Sequence, residues 1–450
     1  MSSPSPSPIR DELLALGRLA APVVLVQVGL MAMGTVDAMM VGHHSKEALA
    51  GVALGNAFQF AVLVLAQGIV MSLDPLVSQA YGAGDHDAVS RWFQRGLVLS
   101  AVLSVPLFAL FRNATPLLVL LRQPAESVPL AAAWIDAVGW GIPPFLGFVC
   151  MRQTLQAIHV VRPVLIAVVV ANLANVLGNW ILVFGHLGAP AMGAVGSGIS
   201  TALSRWLMAA VLAVGTAPAL AEVWRGRRTV GDAASVWALP PYGRMFAIGL
   251  PIGLQMGLEM WVFMTVSFLM GWIGLRFQAA HQIAMNLASL AFMVPLGIGG
   301  AAAVRVGNAI GRGDHAATRR SALVALGAGA SVMLFSAALF GLAPRLLASA
   351  YTGDADLIAL AGTLLPIAAL FQIFDGTQAV GCGILRGAAD TEVAAFINLA
   401  AYWFIGLPVG WLLAFRLGAG PPGLWWGLTI GLMVAALLLV ARVVRRIGRA

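Results

Sequence analysis

The chain has 450 residues, 60% hydrophobic and only 10% charged, with a mean hydropathy of +0.91. Soluble domains carry about 25% charged residues, so this composition excludes a water-facing globule and implies a polytopic membrane protein. The net charge of +8 follows from which side of the membrane the basic residues occupy, and no nucleic-acid partner is implied.

In chain order, the polar opening MSSPSPSPIRDE lacks an apolar core followed by a cleavage site. Residues 1–16 therefore read as a short disordered tail, not a signal peptide. Apolar segments long enough to cross about 30 Å of hydrocarbon follow near 17–42, 49–76, 93–113, 131–156, 163–186 and 192–218. A polar, basic connection occupies 219–243, and six more segments lie near 244–272, 277–304, 319–341, 358–385, 392–416 and 423–444. A basic tail, 445–450, ends the chain. The expected fold is all-α, with twelve transmembrane helices in an N-lobe (17–218) and a C-lobe (244–444) of six each.

The two lobes are copies of one unit. The turn GAGDH, Gly82–His86, recurs as GRGDH, Gly311–His315, and the same offset of 229 pairs Pro22 with Pro251 and Gly68 with Gly297. Six is even, so both copies enter the membrane from one side and the repeat is parallel, about an axis along the membrane normal. In each turn the glycines end one helix and the Asp caps the next. A phosphate-cradling role is disfavoured, because no strand precedes the glycines.

Of the 26 basic residues, nineteen fall in the N-terminal tail, the even-numbered turns and the C-terminus. Six fall in the odd-numbered turns, and Arg205 lies inside the sixth segment. By the positive-inside rule both termini are cytoplasmic. Cys150 and Cys382 sit in apolar context and read as packed small residues, with neither a disulfide framework nor a metal site implied.

Among the acids inside apolar segments three stand out: Asp37 in MGTVDAMMVG, Glu259 in QMGLEMWVFM and Asp375 in FQIFDGTQAV. A carboxylate there costs several kcal/mol unless it is paired, protonated or facing water, so such residues mark ion or substrate sites by default. The structural alternative is helix–helix hydrogen bonding, worth about 0.6 kcal/mol per contact. These carboxyls can exchange protons, or ligate Na+ together with neighbouring carbonyls and amides. Glu259 and Asp375 belong to one lobe and Asp37 to the other. In the fifth segment Asn175 and Asn179 stand one turn apart on a shared face, with Asn172 on a neighbouring face, and Thr201 adds a hydroxyl from the sixth. The eighth segment opens with Gln278, His281, Gln282 and Asn286. Arg205 is buried in the pattern and is a candidate to pair with an acid of its own lobe, which the sequence does not name. Pro22 removes a backbone hydrogen bond from the first helix, which makes that helix a candidate for coupled bending. Met31, Met33, Met256, Met260, Trp261 and Met264 flank the acids and offer polarizable surface to aromatic cations, although each also suits plain packing.

Several stretches together resemble the multidrug and toxic compound extrusion family of transporters, in its bacterial NorM-like branch. They are TVDAMMVGHHSKEALAGVALG, MRQTLQA with the following RP, NLANVLGNWILVFG, AAHQIAMNLASLAFMVPLGIGGAAAVRVGNAIG and FQIFDGTQAVGCGILRG, within a likeness running from about Leu19 to Leu417. The resemblance implies two six-helix lobes around a cavity open to one side at a time, and export of cationic, often aromatic compounds in exchange for Na+ or H+. It implies cation coupling at Asp37, Asn175, Asn179 and Thr201 in one lobe and at Glu259 and Asp375 in the other. Gln282 matches a substrate-contacting position, and His281, Met260 and Phe371 are further candidates for substrate contact. Phe371 occupies a position where some Na+-coupled members carry tyrosine, which weakens a Na+ site in that lobe.

The resulting expectation is a secondary antiporter of the bacterial inner membrane. It works as a monomer, takes small cationic substrates, and needs no cofactor beyond the coupling ion. A lipid-linked precursor flippase of related architecture would want a basic cavity for diphosphate. An intramembrane enzyme would want a nucleophile–base pair or metal ligands, and neither H-E-x-x-H nor G-x-S-x-G occurs in the sequence.

Overall fold

The computed structural model describes residues 8–225 and 236–447. Among these residues, eleven helices are long and apolar enough to cross a membrane, and a bent pair makes the twelfth. In chain order they are α1 (Pro8–His44), α2 (Lys46–Gly82), α3 (His86–Arg112), α4 (Val128–Gly139 with Ile142–Ala157), α5 (Arg162–Leu182) and α6 (Ala194–Gly215). The second set is α7 (Leu239–Ile273), α8 (Leu275–Gly311), α9 (His315–Leu342), α10 (Ala355–Gly387), α11 (Thr391–Arg416) and α12 (Gly420–Ile447). The expected twelve spans are therefore present.

The break in α4 bends it by 52°. It falls where Pro143 and Pro144 occupy the first turn of the second half, which begins at Ile142. Proline is tolerated there because the first helical N–H groups have no intrahelical partner anyway.

The repeated turns behave as the sequence predicts. Asp85 and Asp314 accept hydrogen bonds from the backbone N–H of Ala88 (2.7 Å) and Ala317 (2.8 Å), capping α3 and α9. Gly84 and Gly313 lie in the left-handed region, at φ +74° and +70°, where only glycine sits without strain. Cys150 and Cys382 are buried free thiols, as expected.

The tail expectation is corrected in part. Residues 1–7 lie outside the described set, but the chain is helical from Pro8. The cause is Glu12, which is only 6% exposed. Arg305 donates to it through Nε (2.7 Å) and Nη2 (2.5 Å), and the Ser321 hydroxyl adds a third bond at 2.7 Å. A bidentate guanidinium pair of this kind fixes orientation as well as charge. Of the connection expected over 219–243, Ala217–Arg225 is helical and α7 begins at Leu239, while 226–235 lie outside the described residues. Helix α12 continues to Ile447, and 448–450 of the expected basic tail also lie outside the described residues.

Two compact units divide the chain, one formed by Leu25–Gly253 and the other by Met1–Val24 with Leu254–Ala450. The cut points differ from the expected lobe ends, yet they obey the repeat: Gly253 stands 229 positions after Val24. Each cut follows a repeat-equivalent proline, Pro22 in α1 or Pro251 in α7.

Within each unit the helices meet through small residues, as packing in lipid requires. A Cβ on Gly383 of α10 would collide with the backbone of Gly299 on α8. In the Leu25–Gly253 unit, Gly29 of α1 leaves room for Val168 of α5, and the Asn172 amide donates to the Gly29 carbonyl at 3.0 Å.

Candidate functional site

In the Leu25–Gly253 unit, α1, α5 and α6 bring Asp37, Asn175, Asn179 and Thr201 together, all buried at 3% exposure or less. The four-residue spacing aims both asparagines at one face of α5. Asn175 and Asn179 donate through Nδ2 to Asp37 Oδ1 at 3.0 and 2.6 Å, and the Thr201 hydroxyl donates to Oδ2 at 2.6 Å. A second ring of bonds holds the donors: Asn179 Nδ2 reaches Asn175 Oδ1 at 3.3 Å, and the Ser200 hydroxyl binds the Asn175 carbonyl at 3.0 Å. Every hydrogen-bond partner of the carboxylate is a donor. The same amides also carry oxygens, and Asn179 Oδ1 makes no hydrogen bond. A half-turn of an amide offers that oxygen to a cation beside the carboxylate.

Arg205, the residue that lacked a named partner, is buried in the same unit with its guanidinium 5.0 Å from the Phe145 ring centroid. Asp37 is the acid it interacts with electrostatically.

In the other unit, α7 and α10 bring Glu259 and Asp375 close enough to feel each other's charge. Glu259 is partly buried and accepts a 3.3 Å bond from Gln378 Nε2, which also reaches Asn398 Oδ1 at 3.0 Å. Asp375 is 4% exposed, and its Oδ1 has no hydrogen-bond partner. Two neighbouring carboxyls with an unsatisfied buried oxygen form a site that gains from a proton or a cation.

Sequence reasoning missed Gln378, Asn398 and Tyr402. The Tyr402 hydroxyl interacts electrostatically with Glu259 and Asp375. Tyr402 sits where α11 widens to π geometry, Ala400–Gly406, a feature frequent at functional sites. The i, i+3 spacing of Asp375 and Gln378 was the signal available in the sequence.

The candidate substrate residues fare unequally. Gln282 is exposed and bonds Asn286 at 3.1 Å, and Met260 is half-buried beside Glu259. Phe371 and His281 are each 1% exposed. Phe371 packs edge-on against Phe263 and Trp425, and His281 against Trp425, so in this conformation both are core residues and not exposed contacts. Among the described residues, no group of three or more His, Cys, Asp or Glu is arranged to hold a metal.

Comparison with known proteins agrees with this architecture. The MatE family model matches twice, over residues 22–181 and 251–412, segments whose starts are 229 positions apart. The chain is 37% identical over 445 residues to a probable multidrug resistance protein NorM of Mesorhizobium japonicum, covering 97% of this chain and 94% of the relative. It is 34% identical over 439 residues to the multidrug resistance protein MdtK of Edwardsiella ictaluri, covering 96% and 95%. Among solved structures, the eukaryotic MATE transporter AtDTX14 shares the fold at a TM-score of 0.87 and 22% identity, covering 98% of both chains. The Vibrio cholerae MATE transporter VcmN in its bent form does so at 0.85 and 17%, again covering 98% of both. Duplicated family match, near-full-length relatives and acid-bearing helical bundles converge: the chain belongs to the MatE family, as a membrane transporter rather than an enzyme.

Proposed function

We propose that the protein is a multidrug efflux antiporter of the bacterial inner membrane, expelling small cationic, often aromatic compounds in exchange for Na+ or H+. The single observation that carries this reading is a pair of acidic sites inside apolar helices: Asp37 with three donors in one unit, Glu259 and Asp375 in the other. Acids in such surroundings are costly and mark ion or substrate sites by default. The bacterial relatives named for multidrug resistance support the substrate class, and the basic-residue bias supports cytoplasmic termini.

In this reading the carboxylates do the coupling. A cationic substrate and the coupling ion compete for the same negative charge, so binding of one weakens binding of the other. Asn175, Asn179 and Thr201 orient Asp37 and replace its water when the guest leaves. Gln378 and Tyr402 do the same for Glu259. Gln282, exposed at α8, and Met260 supply substrate contacts, and Pro22 gives α1 a point of bending. The protein acts as a monomer. The flippase alternative calls for basic groups around a diphosphate, whereas the two sites described are built on the acids Asp37, Glu259 and Asp375.

Purified protein in proteoliposomes, supplied with a dicationic dye, tests the proposal. A Na+ gradient and a pH gradient are imposed separately. Dye movement driven by one of them, against the dye's own gradient, is expected; movement with neither would overturn the reading.

A further inference from the structure

The Asp37 site has a neighbour of opposite sign on α6. Arg205 lies four residues beyond Thr201, one helical turn along the same face, and is 7% exposed. Its stem passes the break in α4: a Cβ on Gly141 would stand 2.9 Å from Arg205 Cδ, so the glycine at the break makes room for it. The guanidinium lies over Phe145, in the second half of α4, and its Nη1 makes no hydrogen bond. Among the described residues Arg205 forms no ion pair within 4 Å. A guanidinium does not shed its proton in proteins, so this charge persists in the membrane interior. The ring face of Phe145 balances part of it.

The groups acting on Asp37 are Asn175 and Asn179 from α5 and Thr201 from α6, by hydrogen bonds, and Arg205 from α6, by its charge. Three are neutral donors. Only Arg205 brings a charge, and it does so without touching the carboxylate, leaving both Asp37 oxygens to ligands that can turn aside.

We propose that Arg205 is the fixed counter-charge of Asp37, a positioning residue that opposes the arriving cation and so sets how readily the site releases it. This rests on the cation-exchange reading of Asp37. An exchange site must release its guest every cycle, and a buried carboxylate holding a cation unopposed would release it slowly. A permanent positive charge one turn beyond Thr201 weakens the bound state and speeds release, because in the interior such charges act over many ångströms with little screening.

The test compares wild-type, Arg205→Met and Arg205→Lys proteins in proteoliposomes. It measures the half-saturating concentration of the driving ion separately from the maximal rate of dye transport. Arg205→Met is expected to lower the half-saturating concentration about tenfold and also lower the maximal rate, while Arg205→Lys restores both toward wild type. A merely structural role would damage the site and move half-saturation upward, so an unchanged or raised value in Arg205→Met overturns the proposal. Where Arg205→Met does not fold, Arg205→Gln carries the same prediction with a polar side chain. Wild-type protein answering to neither ion would overturn the underlying reading, and the proposal with it.

Discussion

Thr201 on α6 donates its hydroxyl to Asp37 Oδ2 on α1 across 2.6 Å, while Asn175 and Asn179 of α5 donate to the other oxygen, Oδ1. Replacing Thr201 with Val keeps the shape and removes the donor. The expected outcome is a loss of about 1–3 kcal/mol of stability from a buried, unsatisfied carboxylate oxygen, together with weaker ion dependence of transport. Thr201→Ser should retain most of both. Thermal unfolding in detergent beside dye transport checks it.

Glu12 and Arg305 form a bidentate pair with Glu12 buried. Glu12→Gln is expected to destabilise by about 3 kcal/mol, because it strips a partly buried guanidinium of its counter-charge. Adding Arg305→Met to Glu12→Gln should recover much of that loss. Melting temperatures of the single and double variants read the interaction directly.

Gly383 leaves no room for a Cβ against the Gly299 backbone, whereas a Cβ on Gly17, in α1, meets nothing within 4 Å. Gly383→Ala should therefore cost about 1–3 kcal/mol through overpacking. Gly17→Ala should be neutral or stabilising by up to about 1 kcal/mol from helix propensity alone. Equal effects of the two would contradict the packing described for α8 and α10.

Gln378 bridges Glu259 and Asn398, and Tyr402 adds a hydroxyl that interacts with Glu259. Tyr402→Phe removes one oxygen and no volume. It is expected to raise the half-saturating concentration of the driving ion about three- to tenfold, with little change in thermal stability. Gln378→Leu should raise it further. Ion-dependence curves in proteoliposomes distinguish the two.

What the sequence discloses here is whatever depends on local pattern. The Asp85 and Asp314 caps, the i, i+4 face of Asn175 and Asn179, and the twelve apolar spans follow from spacing alone, and the structure has them. The Asp37 cage was also legible, because mid-membrane polar residues have few places to go. Tyr402 was not: one aromatic in an apolar span reads as packing until the π widening of α11 and the position of Glu259 are known. The break in α4 was hidden inside a continuous apolar run, although Pro143 and Pro144 mark it in retrospect. The helical start at Pro8 escaped notice because the partners of Glu12 lie about 300 residues away, at Arg305 and Ser321.

The most direct measurement of the central claim is dye transport by a variant in which Asp37→Asn, Glu259→Gln and Asp375→Asn are combined, in everted vesicles with the driving ion imposed. The account predicts folded, membrane-inserted protein with no ion-driven dye accumulation. Accumulation at the wild-type rate would contradict it, since cation exchange would then be proceeding without any of the three buried carboxylates.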